Sequence, residues 1–211
     1  IDASVKGTRI NNRFANTDAI QTAVSFDPTQ PVKADGFDKY DGYFTWLMPD
    51  GNLKTQALTN PMLLLNTYDN SSNVSRVIAA AQIDYKMHFL PELRANLNVG
   101  YDYSKGKGKV YVPAWAPQMA SREGQSQEYG SNKTNKLFEF YLNYAKEFTA
   151  IKSFLDVTAG YTYQDWLTHS DNYIDYTANG KEFKKPDFPY DEPRNTLISV
   201  FGRLNYTLMN K

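Results

Sequence analysis

The side chains that could do chemistry are few and scattered. His88 and His169 are the only histidines, and there is no cysteine. No catalytic triad, histidine metal pair or thiolate site can therefore be assembled by spacing. Glu139 and Asp156 have the parity to share one face of a hairpin, as the acid and base of a glycoside hydrolase would. Carboxylates solvated in a polar interior explain that pair more simply, so no catalytic residue is assigned. Asp35, Asp38 and Asp41 recur at a spacing of three between Gly36 and Gly42. They are a calcium candidate that lacks the alternate-residue ligand ladder, and an ordinary acidic loop is the plainer reading. Lys105-Gly106-Lys107-Gly108-Lys109 lacks the framework of a phosphate loop and reads as the flexible, charged base of a loop.

Aromatic side chains carry more information. They make up 15% of the residues and include 16 tyrosines, a high share. Trp46, Trp115 and Trp166 fall in expected loops or at their margins, with Tyr43, Tyr111 and Tyr173 nearby. Exposed aromatic planes beside polar groups suit sugars, whose apolar ring faces stack while their hydroxyls are hydrogen-bonded. These six are the candidate ligand contacts. Two plainer roles compete: a hydrophobic plug that holds the loops together, and a girdle at a membrane interface. Tyr101, Tyr103, Tyr161 and Tyr163 fit the girdle better.

The elements that would position these groups are strands. From Val77 through Ala79, Ala81, Ile83, Tyr85 and Met87 to Phe89 every second residue is apolar, against Gln82, Asp84, Lys86 and His88. After Leu90-Pro91-Glu92 the alternation resumes, with Leu93, Ala95, Leu97, Val99, Tyr101 and Tyr103 against Arg94, Asn96, Asn98, Gly100 and Asp102. Successive strand residues face opposite ways, so one face is apolar and the other polar. The arms reach about a dozen residues, roughly twice a common strand. The same period runs through Ile1–Thr8, Phe138–Ala145, Asp156–Tyr163 and Ile198–Leu208, and more faintly through Tyr40–Met48, which is expected in a loop.

A three-residue turn at Leu90–Glu92 would set Tyr85 opposite Leu97 and Asp84 opposite Asn98. Thr149–Lys152 supplies the even-numbered loop that Tyr144 and Val157 need. Ile83, Leu97, Phe140 and Val157 should all share the apolar face. The other connections are long: the region after the first strand, Lys105 to Asn135, and Leu167 to Asn195. Two short helices are expected in the first of them, one over Asn16–Val24 and one with Asn60 as N-cap and Pro61 at the first position.

Lys and Arg total 23, as do Asp and Glu, which removes the electrostatic case for nucleic acid. No apolar run approaches the roughly 20 residues of a membrane helix. Short turns at one end and long loops at the other match an outer-membrane barrel, whereas a sandwich spreads its loops over both ends. The fold class expected is all-β: an antiparallel meander of long hairpins from a transmembrane β-barrel, with short helices in its loops. Both termini read as mid-strand, so residues 1–211 are expected to be a piece of one barrel domain. A soluble carbohydrate-binding β-sandwich is the rival.

An ordered set of stretches narrows the choice: Phe26-Asp27-Pro28-Thr29-Gln30-Pro31-Val32, Asn60-Pro61-Met62-Leu63-Leu64-Leu65, Ile83-Asp84-Tyr85, Phe89-Leu90-Pro91-Glu92-Leu93, Asn98-Val99-Gly100-Tyr101-Asp102 and Phe201-Gly202-Arg203-Leu204-Asn205-Tyr206. Together they resemble the middle of the barrel of SusC-like, RagA-type TonB-dependent outer-membrane transporters. The resemblance implies a 22-stranded barrel in the outer membrane of a Gram-negative bacterium. It also implies a SusD-like surface lipoprotein and TonB as partners, and a glycan or peptide as ligand, with no cofactor. The plug domain, TonB box and signal peptide of that family have no counterpart in residues 1–211. The loops after Lys105 and Leu167 match nothing in it. Outside lipid, the apolar face of an isolated piece would have to self-associate.

Overall fold

The computed structural model describes residues 1–209. Its main elements are β1 (Asp2–Phe14), α1 (Asp18–Ser25), α2 (Pro61–Thr67), β2 (Asp69–Lys86), β3 (Leu93–Val112), β4 (Gln125–Phe148) and β5 (Ser153–Asp171). Three short strands follow, β6 (Asp175–Tyr176), β7 (Glu182–Lys184) and β8 (Tyr190–Asp191), and then β9 (Arg194–Thr207). The long strands pair antiparallel in the order β1-β2-β3-β4-β5-β9. Among the described residues the outer edges of β1 and β9 have no strand partner, so the sheet is an open arc. Among the described residues no second sheet packs on it, which sets aside the sandwich. No described helix is long and apolar enough to cross a membrane, a statement that does not concern strands.

The arms are longer than the alternation indicates: β3 has 20 residues and β4 has 24. The expected loop from Lys105 to Asn135 is mostly strand, because β3 continues to Val112 and β4 begins at Gln125. Only residues 113–124 connect them. The segment from Leu167 to Asn195 likewise starts inside β5 and ends inside β9, with β6, β7 and β8 between. The cause is that these extensions are mostly polar on both faces. They have little apolar alternation to read, although their backbones continue the ladder residue by residue.

The first hairpin also corrects the expected register. Tyr85 pairs with Ala95 and Asp84 with Asn96, two residues from the positions a three-residue turn gives. The Met87 N–H donates to the Leu93 carbonyl at 3.0 Å, and the chain turns over the whole of Met87–Glu92. A slip of two keeps every side chain on its face. The second hairpin is as expected, with Tyr144 opposite Val157.

The faces sort cleanly. Ile83, Leu97, Phe140, Tyr161 and Val200 form one cross-strand row. Ala81, Val99, Phe138, Tyr163 and Ile198 form the next on the same side. Val157 lies on that side beside Leu204. These side chains stand open to the surroundings instead of forming a core, with Val200 83% and Leu204 69% exposed. Toward the long loops the apolar band stops at Lys136 and Asp165, which pair in register. Arg194 grips that carboxylate with Nε at 2.7 Å and Nη2 at 3.0 Å. From Leu155 to Tyr163 on β5 the band covers roughly 27 Å along the strand at ~3.4 Å per residue, or about 20 Å along a membrane normal at ~40° tilt. The lipid-facing belt of such barrels is ~25 Å tall.

The enclosed core is small and lies in the loops. Tyr40, Tyr43 and Leu63 are buried together, with Phe37, Leu53 and Trp115 packed on them. Asn60 fixes this cluster. Its Oδ1 accepts the Met62 N–H at 3.1 Å as the cap of α2, and its Nδ2 donates to the carbonyls of Val32 (2.8 Å) and Phe44 (3.3 Å). At the start of α1 the Asp18 N–H donates to Asn16 Oδ1 at 3.0 Å.

Candidate functional site

Opposite the apolar band lies a face whose polar side chains are held by cross-strand bonds. Near the short turns Arg94 forks onto Asp84 (3.1 and 2.6 Å), and Asn98 Nδ2 donates to Glu139 at 2.8 Å. Asn143 Nδ2 donates to Asp156 at 2.7 Å and to Thr158 at 3.0 Å. Asp84, Arg94, Glu139, Asn143 and Thr158, with Asn96, Tyr141, Phe201 and Arg203, line an open groove of about 580 Å³. Gly160 shapes its floor, because a Cβ there would meet the Phe201 ring at 2.5 Å and Tyr141 Cβ at 2.6 Å. The glycine lets the Phe201 ring lie across the strand.

Glu139 and Asp156 share this face but not a reaction centre. Glu139 is in register with Thr162, six residues along β5 from Asp156. At ~3.3 Å per residue that is about 20 Å, well beyond the ~5–10 Å between paired glycosidase carboxylates. Each already accepts from an asparagine.

Farther up the same face Arg76 forks onto Asp102 at 2.8 and 2.6 Å, and Asn135 approaches the same carboxylate at 3.4 Å. Trp166 pairs in register with Asn135 and with Asn195. With Ile78, Gly100, Leu137 and Gln164 it borders a depression of about 190 Å³.

The six aromatic candidates do not converge. Tyr43 is buried, and its hydroxyl accepts from Asn66 Nδ2 at 2.7 Å while Lys33 Nζ lies 4.4 Å from its ring centre. Trp115 packs on the same cluster. Trp46 stands edge-on to Phe44 at 5.0 Å. These three occupy the plug. Tyr111 is 41% exposed on the apolar side of β3, far beyond the band. The Tyr173 hydroxyl reaches Asp171 at 3.4 Å and its ring faces Lys107. Trp166 alone among them stands on the polar face of the sheet.

Asp35, Asp38 and Asp41 stay apart. Asp38 opens a 3₁₀ turn at Asp38–Tyr40, and Asp41 pairs with Lys33 at 3.6 Å. Among the described residues no group of three or more possible ligands gathers as a metal site. Lys105–Lys109, expected at a loop base, lies within β3. His88 Nδ1 is 3.0 Å from the Tyr85 hydroxyl in the first turn. Inspection for alternation alone misses Arg76, Arg94 and the Asp165–Arg194 clasp. The clasp was discoverable where a charge takes a position of apolar parity two residues past Tyr163.

His169 is held between two carboxylates: Nδ1 lies 2.7 Å from Glu192 and Nε2 lies 3.2 Å from Asp171. Its ring stacks on Tyr190 at 4.8 Å. The Glu192 hydrogen bond first, then that of Asp171, raises its pKa above the ordinary 6.5. A raised histidine pKa contributes stability that is fully present below ~6.5 and is lost as pH climbs through the raised value. The Pro189–Glu192 segment should therefore loosen from β5 as pH rises through that raised value. Exchange protection of the Asn172 N–H, bonded to the Pro189 carbonyl at 3.0 Å, corrected for intrinsic exchange, should fall with pH and become pH-independent in His169→Gln.

A single-layer antiparallel sheet with very long strands, apolar on one face between charged borders and polar on the other, is the wall of a transmembrane β-barrel. Comparison with known proteins agrees. No family model matches the chain. The chain is 28% identical over 218 aligned residues to a protein described as TonB-dependent receptor SusC from Bacteroides thetaiotaomicron, a match covering 95% of this chain and 21% of that protein. The chain thus spans about a fifth of the length of the curated relative it matches.

Proposed function

We propose that residues 1–211 are an arc of one barrel domain in a SusC-like, RagA-type outer-membrane transporter. In this reading the parent protein imports oligosaccharides through the outer membrane of a Gram-negative bacterium, powered by TonB and served by a SusD-like surface lipoprotein. Peptides are the second ligand class. The chain contributes wall, not catalysis. The observation that carries the reading is the one-sided apolar band ending at Lys136, Asp165 and Arg194. Its height of about 20 Å approaches that of a bilayer belt, and the opposite face carries the polar rows of Asp84, Asn98, Glu139, Asn143 and Thr158. Similarity to the SusC receptor supports it, and the free edges of β1 and β9 suit pairing with further wall strands.

Two measurements test it. In the protein at its natural length, cysteine at Val99 or Phe138 should be reached by a lipid-borne quencher, and cysteine at Asn98 or Glu139 by a water-soluble reagent. Swapped accessibilities would reject the barrel reading. Among the candidate ligand contacts, Trp166 is the one we assign to the transport path, beside Asn135 and Gln164. Loss of its stacking face in Trp166→Ala should weaken oligosaccharide binding by roughly 1 kcal/mol, about fivefold. An unchanged affinity would remove Trp166 from the path.

A further inference from the structure

The apolar side of β1–β3 has a feature that hydrocarbon contact does not use. On β2 every residue of this face from Ala81 to Ser71 is small: Ala81, Ala79, Val77, Ser75, Asn73, Ser71. The neighbouring strands form banks to this furrow. Its lower part, in the band, is an apolar trough of about 310 Å³ between Val5 on β1 and Val99 and Tyr101 on β3. Its upper part, beyond the band, has a second trough of about 420 Å³ whose lining includes Asn11, Ser71, Asn73, Lys107 and Lys109. The register sets Arg9, Ser75 and Lys105 in one row and Arg13, Ser71 and Lys109 in another. The Gly-Lys alternation of β3 thus sends every lysine to this face and every glycine to the other.

The two cationic banks stand two strand spacings apart, about 10 Å, across a floor of serine and asparagine. Among the described residues Arg9, Arg13, Lys105, Lys107 and Lys109 enter no ion pair. The facing carboxylates are few. Glu128 is in register with Lys109 without pairing to it, and Asp171 is engaged by His169. Lys107 also lies 5.7 Å from the Tyr173 ring centre.

We propose that this furrow binds one phosphorylated lipid of the outer leaflet, with an acyl chain along Ala79 and Ala81 and the phosphate between the arginine and lysine banks. The inference rests on the reading that the apolar face meets lipid. Unpaired guanidinium and ammonium groups on facing strands match a phosphate from two sides. Their height supplies the membrane source: Lys105 lies four residues past Tyr101, roughly 10 Å above the band at ~40° tilt, and long basic side chains reach back toward the interface. A soluble anion would not need the apolar trough that continues below.

The test uses the protein at its natural length, extracted from the outer membrane in mild detergent, with bound lipid counted by native mass spectrometry. A phosphorylated lipid and the same lipid with its phosphate removed are compared, with inorganic phosphate as a third arm. The phosphorylated lipid should be retained at least tenfold better than the dephosphorylated one. The combined changes Arg9→Gln, Arg13→Gln, Lys105→Gln, Lys107→Gln and Lys109→Gln should abolish that preference. If that variant fails to fold, Lys107→Gln with Lys109→Gln, at exposed positions, should still reduce it several-fold. Ala79→Trp, which fills the apolar trough and leaves every charge, should also reduce retention. Equal retention of both lipids would overturn the headgroup site while leaving the lipid-facing wall intact. Displacement by inorganic phosphate alone would overturn the lipid as ligand. Retention of neither lipid by the unaltered protein would overturn the site as well, while the lipid-facing wall is judged separately by the cysteine accessibilities at Val99 and Asn98.

Discussion

Ile83→Arg destabilises the protein in a bilayer by about 2–4 kcal/mol, while Gln82→Arg, one residue earlier on the same strand, costs little. Ile83 sits in the middle of the apolar band, in the row of Leu97, Phe140, Tyr161 and Val200. It is 37% exposed with no enclosing core, so its surroundings in a membrane are acyl chains that offer a guanidinium no hydrogen-bond acceptor. Gln82 pairs with Asn98, whose other neighbour is Glu139. A cation there joins a hydrated polar row that already contains a carboxylate. Urea unfolding of the natural-length protein in lipid vesicles measures both changes. In a water-soluble protein with this sheet, both substitutions would be surface changes of similarly small effect. Equal destabilisation would therefore remove the physical basis for placing Ile83 in lipid. Gel mobility with and without heating gives a second reading, since a barrel that fails to close migrates as unfolded chain in either case.

That contrast was legible from residue types because strand parity is an all-or-none signal. Once Val77 to Phe89 alternate with Gln82 to His88, each side chain has only two faces to choose from, and a bilayer tolerates one choice. The hairpin register was less legible. Parity does not distinguish Tyr85 opposite Leu97 from Tyr85 opposite Ala95, and the turn's own hydrogen bond from Met87 to Leu93 decides it. The strand extensions beyond Lys105 and Leu167 were hidden for a related reason. Outside the hydrocarbon, neither face must be apolar, so Lys105 to Lys109 and Ser131 to Thr134 show no alternation of apolar with polar residues to mark the ladder they form. Local chemistry was easier: the Asn60-Pro61 start of α2 is a short-range signal, and the structure has that cap. The aromatic candidates illustrate the opposite limit. Tyr43, Trp46, Trp115 and Trp166 look alike as aromatic residues in loop-like sequence. Three are drawn into a plug by α2 and the 113–124 connection, while Trp166 is carried out along β5, and nothing local separates these fates.

The plug depends on a residue with no side chain, so Gly124→Ala should unseat it. Gly124 ends the β3–β4 connection at φ +82°. Its N–H donates to the Met119 carbonyl at 3.0 Å, and the preceding Glu123 carbonyl accepts from Ala178 N–H at 3.1 Å. A Cβ here would lie 2.6 Å from the Val112 carbonyl oxygen, 2.6 Å from Ala178 Cβ and 2.8 Å from the Ala114 nitrogen. Two of those contacts are backbone at the end of β3 and cannot swing aside as a side chain tip would. The left-handed conformation costs an alanine about 1 kcal/mol, and forced overpacking adds roughly 1–3 kcal/mol. The strain falls on residues 113–124, which carry Trp115 onto Tyr40, Tyr43 and Leu63. Gly180→Ala is the matched control: its φ is also +82°, but nothing lies within 4 Å of the added carbon, so it should show the conformational cost alone. Tryptophan fluorescence and protease sensitivity of the connection should change in Gly124→Ala and stay near normal in Gly180→Ala. If both variants lose the same stability, the close approach at Gly124 contributes nothing, and the plug is held by its apolar contacts without that glycine.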